Sequence, residues 1–146
     1  MQFRATVCSV ERSSFVPNPA SPFVTLGGDE ALVARLVERF YQHMATDEPE
    51  LARLHRLSPD GTIEAATQER FGLFLLEWLG GPPRFSPVFG HPRLRMRHAR
   101  VPVDEAMRDA WLRCMQLAMD DVGVSGDIRT FLDARFAEVA DFLRNR

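Results

Sequence analysis

An all-α domain is what this sequence predicts, on three observations. Apolar residues recur at helical spacing in four long stretches, strand-like alternation is weak throughout, and glycine, proline and aspartate fall where helices would start and stop. The 146 residues suit one domain of ordinary size, able to bury roughly 70% of the surface its unfolded chain exposes. With 45% hydrophobic and 26% charged residues and a formal net charge of -2, the composition is that of a globular chain rather than a disordered or membrane one.

Residues 1–20 keep neither period, and Pro17, Asn18, Pro19 and Pro22 punctuate the passage into the first helical pattern. Residues 1–20 are expected to form an N-terminal extension, and residues 21–146 the domain. The first long helix starts at Asp29, an N-cap after Gly27-Gly28, and carries Leu32, Val33, Leu36, Val37, Phe40, Tyr41 and Met44 on one side through about four turns. A turn or two of helix over Glu50–His55 and a loop holding Pro59 and Gly61 come next. The second helix, Ile63 to Leu79, lines up Ile63, Thr67, Phe71, Phe74, Leu75 and Trp78 and stops at Gly80-Gly81-Pro82-Pro83.

A short helix is expected around His91–His98, with Pro92 in its first turn. The third long helix, Asp104 to Val122, puts Met107, Trp111, Cys114, Met115 and Ala118 on one face. The fourth, from Asp127, has Ile128, Phe131, Leu132, Phe136, Val139, Phe142 and Leu143. The richest apolar run, Leu73 to Leu79, is far shorter than the ~20 residues of a membrane span, and the N-terminus has no apolar core of a secretory signal, so a cytoplasmic protein is expected. Cys8 and Cys114 read as thiols, without the spacing of a zinc site.

Chemistry concentrates in Gly90–Arg100, GHPRLRMRHAR, where two histidines and four arginines stand in a chain that is otherwise slightly acidic. His43, two residues beyond Tyr41 on the same helix, reads as a solvated surface histidine, and His91 as the residue that starts the short helix. His98 has Leu94 one turn before it on the same side. On pattern alone a lone histidine beside apolar positions is more often a satisfied boundary residue than a ligand. Four arginines, equally, can be a solvated face. The sharper reading is an anionic partner, because arginine is always charged and forms forked bonds to carboxylate or phosphate. Nucleic acid is the weaker partner, since the chain lacks an overall basic charge. Haem, with carboxylates on one edge and a metal at its centre, accounts for histidine and arginines together.

The motifs Ser21-Pro22-Phe23, Leu26-Gly27-Gly28, Arg39-Phe40-Tyr41, Phe74 to Pro82, Gly90 to His98 and Arg108 to Met115, in this order and spacing, resemble the group II truncated haemoglobins over about residues 21 to 144. The resemblance implies a two-over-two helical globin sandwich holding haem b, iron protoporphyrin IX, with His98 as the proximal iron ligand. His91 matches the family's second histidine in this motif, which is not a ligand. Arg97 first and Arg95 second are the candidates to meet the haem propionates. Leu94, Thr67, Phe71, Phe74 and Val101 are expected against the haem, Val101 standing where many relatives carry an aromatic. Tyr41, Trp111 and His55 match distal positions that stabilise a bound ligand, His55 lying before a connection longer than usual.

Converging distal donors imply tight binding of dioxygen and slow release, suited to sensing, scavenging or redox chemistry. Nitric oxide, carbon monoxide and peroxide are further expected ligands, and nitric-oxide dioxygenation or peroxidase-type turnover the expected activities. No flavin or nicotinamide motif is visible, so an external reductase is expected. A monomer or homodimer without nucleic-acid or membrane partners completes this reading. Two rivals stand beside it: a sensor or electron carrier whose sixth iron site is filled by His55 or Tyr41, and a globin-like interaction module without haem.

Overall fold

The computed structural model describes residues 15–146, apart from the side chain of Arg95; Cys8 and most of the N-terminal extension lie outside the described residues. Among the described residues eight helices succeed one another: α1 (Pro22–Thr25), α2 (Glu30–Asp47), α3 (Pro49–Ala52), α4 (Ala65–Trp78), α5 (Ser86–Phe89), α6 (Leu94–His98), α7 (Glu105–Asp121) and α8 (Gly126–Leu143). The fold is all-α. Among the described residues the sole β pairing is an isolated bridge between Leu57 and Ile63. No helix there is long and apolar enough to cross a membrane.

The expected caps form. Asp29 accepts a hydrogen bond from the Ala31 amide at 2.9 Å and Asp104 one from Met107 at 2.8 Å, each satisfying a donor that a helix start leaves orphaned. Behind these caps α2 packs on α4 and α7, and α7 packs on α8, so two helix pairs enclose one core. Leu36, Phe40 and Met44 of α2 meet Cys114, Met115 and Met119 of α7 there, with Leu75 and Leu79 of the α4 end. Short α3 sits against both α2 and α7, and α6 rests on α8.

Two short helices, α1 and α5, are absent from the sequence expectation. Both carry a proline in their first turn and take their position from tertiary bonds: the Phe23 amide donates to the Leu79 carbonyl at 2.9 Å, and Glu77 Oε1 accepts from the Phe85 and Ser86 amides. Gly80 makes the first contact feasible. Its φ is +94°, and a Cβ there would lie 2.5 Å from the Ser21 Cβ, so a side chain is excluded on both counts.

Two expectations need correction. Pro92 is not in the first helical turn; α6 starts at Leu94, and Arg93, at φ 48°, turns the chain into it. His91 Nδ1 accepts from the Arg93 amide at 3.1 Å, so His91 stabilises the turn before the helix rather than starting the helix itself. In α8, Leu132, Phe136 and Ala140 are buried while Phe131 is 48% exposed, because an apolar stripe wider than the contact with α7 leaves its edge outside.

Candidate functional site

Between α2, α4, α6, α7 and α8 the helices leave a cavity of about 430 Å³, within the ~300–1,000 Å³ range of small-molecule and cofactor sites. Its lining is mostly apolar. Phe71, Phe74, Leu75 and Trp78 come from α4, Trp111 and Met107 from α7, and Phe136, Val139 and Leu143 from α8. Of the residues singled out in the sequence, Tyr41, His55, Thr67, Phe71, Phe74, Leu94, Arg97, His98, Val101 and Trp111 all line this one space. The side chain of Arg95 lies outside those described.

His98 ends α6 with its Nδ1 2.7 Å from the Leu94 carbonyl oxygen. A carbonyl only accepts, so Nδ1 carries the proton and the lone pair stays on Nε2, the tautomer that a metal-ligating imidazole needs. The helix geometry supplies this: the bond spans four residues, one turn. Beyond His98 the chain is clipped by Asn145, whose Nδ2 donates to the carbonyls of His98 and Val101 at 3.2 and 2.9 Å. Asn145 Oδ1 accepts from the Val103 amide at 2.9 Å.

Tyr41, Phe71 and Trp111 form a continuous aromatic wall, with ring centroids 5.9 Å apart for Tyr41–Phe71 and 6.5 Å for Phe71–Trp111. Burial pushes the Tyr41 phenol well above the ordinary range, with the positive charge of Arg70 acting against it, so the hydroxyl keeps its proton and can donate. Neither this hydroxyl nor the Trp111 indole N–H has a hydrogen-bond partner among the described residues. Both donors are therefore available to a molecule in the cavity.

His55 differs. Its ring lies 6.0 Å from that of Tyr41, and its Nδ1 is 3.0 Å from the Leu51 carbonyl, which again places the proton on Nδ1. Desolvation lowers its pKa, with hydrogen bonds to the Leu51 and Ala52 backbone opposing this and the nearby His98 adding to it. The neutral ring consequently offers a bare Nε2, an acceptor where the sequence led us to expect a donor. The connection after it, Leu57 to Ile63, is closed by Ser58 and Thr62, the Ser58 amide donating to the Thr62 carbonyl at 2.7 Å.

Sequence reasoning missed two arginines at the rim. Arg108 is already engaged, with ion pairs to Asp109 at 3.1 Å and Asp141 at 3.0 Å. Arg70, one residue before Phe71 on α4, makes no ion pair among the described residues, and neither does Arg97, whose Nε donates to the Pro92 carbonyl at 2.9 Å. Position beside two cavity residues was the only signal for Arg70. His43 is not freely solvated as expected: it holds Asp121 at 2.6 Å and Asp47 at 3.3 Å, away from the cavity. Cys114 is buried, its thiol pushed up to about 12 mainly by desolvation, and it takes no part in the lining.

These residues suit haem b. Aromatic and aliphatic walls fit a flat apolar ring, and two guanidiniums without an ion pair among the described residues fit its carboxylates. Among the described residues no three histidine, cysteine or acidic side chains gather around an ion site, so a lone imidazole such as His98 suits a metal that brings its other ligands with it.

The chain has relatives among known proteins. Residues 21–145 match the bacterial-like globin family. The chain is 37% identical over 126 residues to the group 2 truncated hemoglobin YjbI of Bacillus subtilis, spanning 86% of this chain and 89% of that one. It superposes on the group II truncated hemoglobin from Bacillus anthracis with a TM-score of 0.77 at 34% identity, covering 87% and 98% of the two chains. A group II 2-on-2 hemoglobin from Agrobacterium tumefaciens gives a TM-score of 0.78 at 28% identity, covering 90% and 98%. With the two-over-two helical arrangement, the family match over residues 21–145 and the identity to group II relatives in agreement, the chain belongs to the bacterial-like globin family, as a group II truncated haemoglobin.

Proposed function

We propose that His98 ligates the iron of haem b in this cavity and that Tyr41 and Trp111 hold dioxygen there by hydrogen bonds, giving tight binding and slow release. Haem b is the cofactor of the family, and when bound it supplies an iron that takes diatomic ligands and exchanges single electrons. The observation that carries the reading is the 2.7 Å bond from His98 Nδ1 to the Leu94 carbonyl, which fixes the ring and leaves Nε2 bare on a cavity-lining residue.

The remaining roles belong to the chain. Arg97 and Arg70 meet the two propionates at the rim, each a charge-assisted pair. Phe71, Phe74, Leu94 and Val101 exclude water, which raises the worth of every polar bond inside. The Tyr41 hydroxyl and the Trp111 N–H are donors without competing partners, each worth ~1–3 kcal/mol to an oxygen that carries partial negative charge. The Bacillus subtilis haemoglobin that superposes with a TM-score of 0.74 is described as oxygen-avid, in line with such a pocket.

Slow release suits sensing, scavenging or redox turnover better than delivery. Nitric-oxide dioxygenation or peroxidase-type turnover by a cytoplasmic protein is the form we favour, with electrons from an external reductase. Mixing the reduced protein in oxygenated buffer with nitric oxide should oxidise it far faster than standing in air does; equal rates would remove the dioxygenase.

One observation favours a second reading. The bare Nε2 of His55 lines the same cavity, so His55 can serve as a second iron ligand of a sensor or electron carrier. A low-spin ferric spectrum that disappears in His55→Ala is its signature.

A further inference from the structure

From Trp78 to Val103 the sequence holds five of the chain's 18 basic residues, Arg84, Arg93, Arg95, Arg97 and Arg100, and none of its 20 acidic ones. This strip therefore carries +5 and the remainder of the chain -7. The nearest carboxylate before it, Glu77, is engaged by the amides of Phe85 and Ser86. Arg84 is neutralised by Glu30 at 3.0 Å. Arg93 and Arg100 are exposed and make no ion pair among the described residues. Two propionates, if Arg97 meets one and Arg70 the other, leave the outer arginines uncompensated.

The same strip also exposes apolar side chains beside its arginines. Val88 is 70% exposed, Met96 65% and Phe89 37%, three of the eight large hydrophobics exposed among the described residues, all within nine positions of the chain. An apolar patch rimmed by one sign of charge is the composition of a docking surface. Its reverse side is the cavity: Leu94, Arg97 and His98 of α6 line it, while Arg93, Met96 and Arg100 are exposed beside them. A partner seated here is separated from the cavity by roughly the ~10 Å thickness of one helix.

We infer that this surface docks an acidic one-electron carrier protein, the reductant that the proposed redox function requires, and the inference rests on that function. One electron leaves the reduced centre of the carrier and takes ferric haem to ferrous; no atom or proton is transferred. Charge selects this occupant. A small acidic protein meets the unpaired Arg93 and Arg100, whereas an extended polyanion or a charged bilayer also meets the net negative charge of the remaining chain. Redox encounters of this kind use small, weak interfaces, which a strip of this size can supply.

The test is stopped-flow reduction of the ferric haem-loaded protein by a reduced plant-type [2Fe–2S] ferredoxin, an acidic one-electron carrier, at low and high ionic strength. Arg93→Glu/Arg100→Glu should slow the bimolecular reduction at least about ten-fold at low salt, with the difference shrinking as salt rises. Arg35→Glu/Arg53→Glu, at exposed arginines of α2 and of the turn after α3, makes the same four-unit change in net charge away from the strip and should retain nearly the wild-type rate. Reduction by photoreduced lumiflavin, small and neutral, should be equal in all variants, which establishes that haem and fold are intact. Wild-type ferredoxin rates in Arg93→Glu/Arg100→Glu, or equal slowing in Arg35→Glu/Arg53→Glu, would overturn the docking surface. So would binding to vesicles of anionic lipid that Arg93→Glu/Arg100→Glu abolishes while its ferredoxin rates stay unchanged. Failure of the proposed redox function is distinguishable, because it appears without any carrier, as oxygenated protein that nitric oxide oxidises no faster than air does, or as a protein that takes no haem.

Discussion

Asn145 holds His98 from 47 residues away: its side-chain Nδ2 donates to the His98 carbonyl at 3.2 Å and to the Val101 carbonyl at 2.9 Å, and its backbone amide donates to the Val103 carbonyl at 2.9 Å. The last residues of the chain thus close the segment that comes after α6. His98 is fixed at both ends, by Leu94 before it and by Asn145 through its own carbonyl.

Asn145→Ala removes three side-chain hydrogen bonds at a partly solvated place, worth ~1 kcal/mol each at most. A fall in Tm of at most roughly 6–12 °C is expected at the ~2–4 °C per kcal/mol of a chain this size. Haem loss to an acceptor apoprotein should quicken as well. Unchanged haem loss would deny Asn145 a positioning role and leave it a structural clip.

Tyr41→Phe and Trp111→Phe each delete one donor while keeping the aromatic wall. Oxygen release should rise by about ten-fold in either, since ~1.4 kcal/mol corresponds to a factor of ten. His55→Ala should change release far less, because its Nε2 accepts rather than donates. A large increase in His55→Ala with little change in Tyr41→Phe, measured by laser photolysis, would reverse these roles.

Gly80→Ala forces a side chain into a left-handed position and against Ser21. A loss of ~1–3 kcal/mol is expected from the backbone alone, with more from the displaced contact of α1 on α4. Denaturant unfolding measures it; a variant as stable as the parent would mean that α1 yields without cost.

The buried Cys114 thiol, pushed up to about 12, leaves only ~10⁻⁴ thiolate at pH 8. In a Cys8→Ser background the folded protein should not react with Ellman's reagent until denaturant is added. Prompt labelling of the folded protein would contradict the burial of α7 against α2.

Hydrogen bonds from His43 and then Arg39 hold the Asp121 carboxyl below its ordinary value. A carboxyl depressed in the folded state contributes stability above its unfolded pKa of about 3.9, and that contribution is lost as pH falls toward the folded value. Asp121→Asn should therefore lose less stability than the parent between about pH 5 and 3, by circular dichroism. Parallel acid-unfolding curves would show that this exposed pair contributes nothing.

The long helices were legible because their signals are local: Asp29 and Asp104 cap the helices they were expected to cap, and the apolar spacing of α2 places Leu36, Phe40 and Met44 in the core. Tyr41, Trp111 and His98 were legible as residues of one site only through resemblance, since each alone fits a core aromatic or a boundary histidine. What stayed hidden is long-range. Helices α1 and α5 depend on Leu79 and Glu77, the role of Asn145 on a contact across the chain, and the acceptor character of His55 on its bond to Leu51.

The most direct measurement is the absorption spectrum of haem-saturated protein in ferric, ferrous and carbon-monoxide forms, for the parent and for His98→Gly with and without imidazole. His98 as iron ligand requires a histidine-bound globin spectrum in the parent, its loss in His98→Gly and its return when imidazole enters the vacated space. A His98→Gly protein that keeps the parent spectrum without imidazole would contradict it.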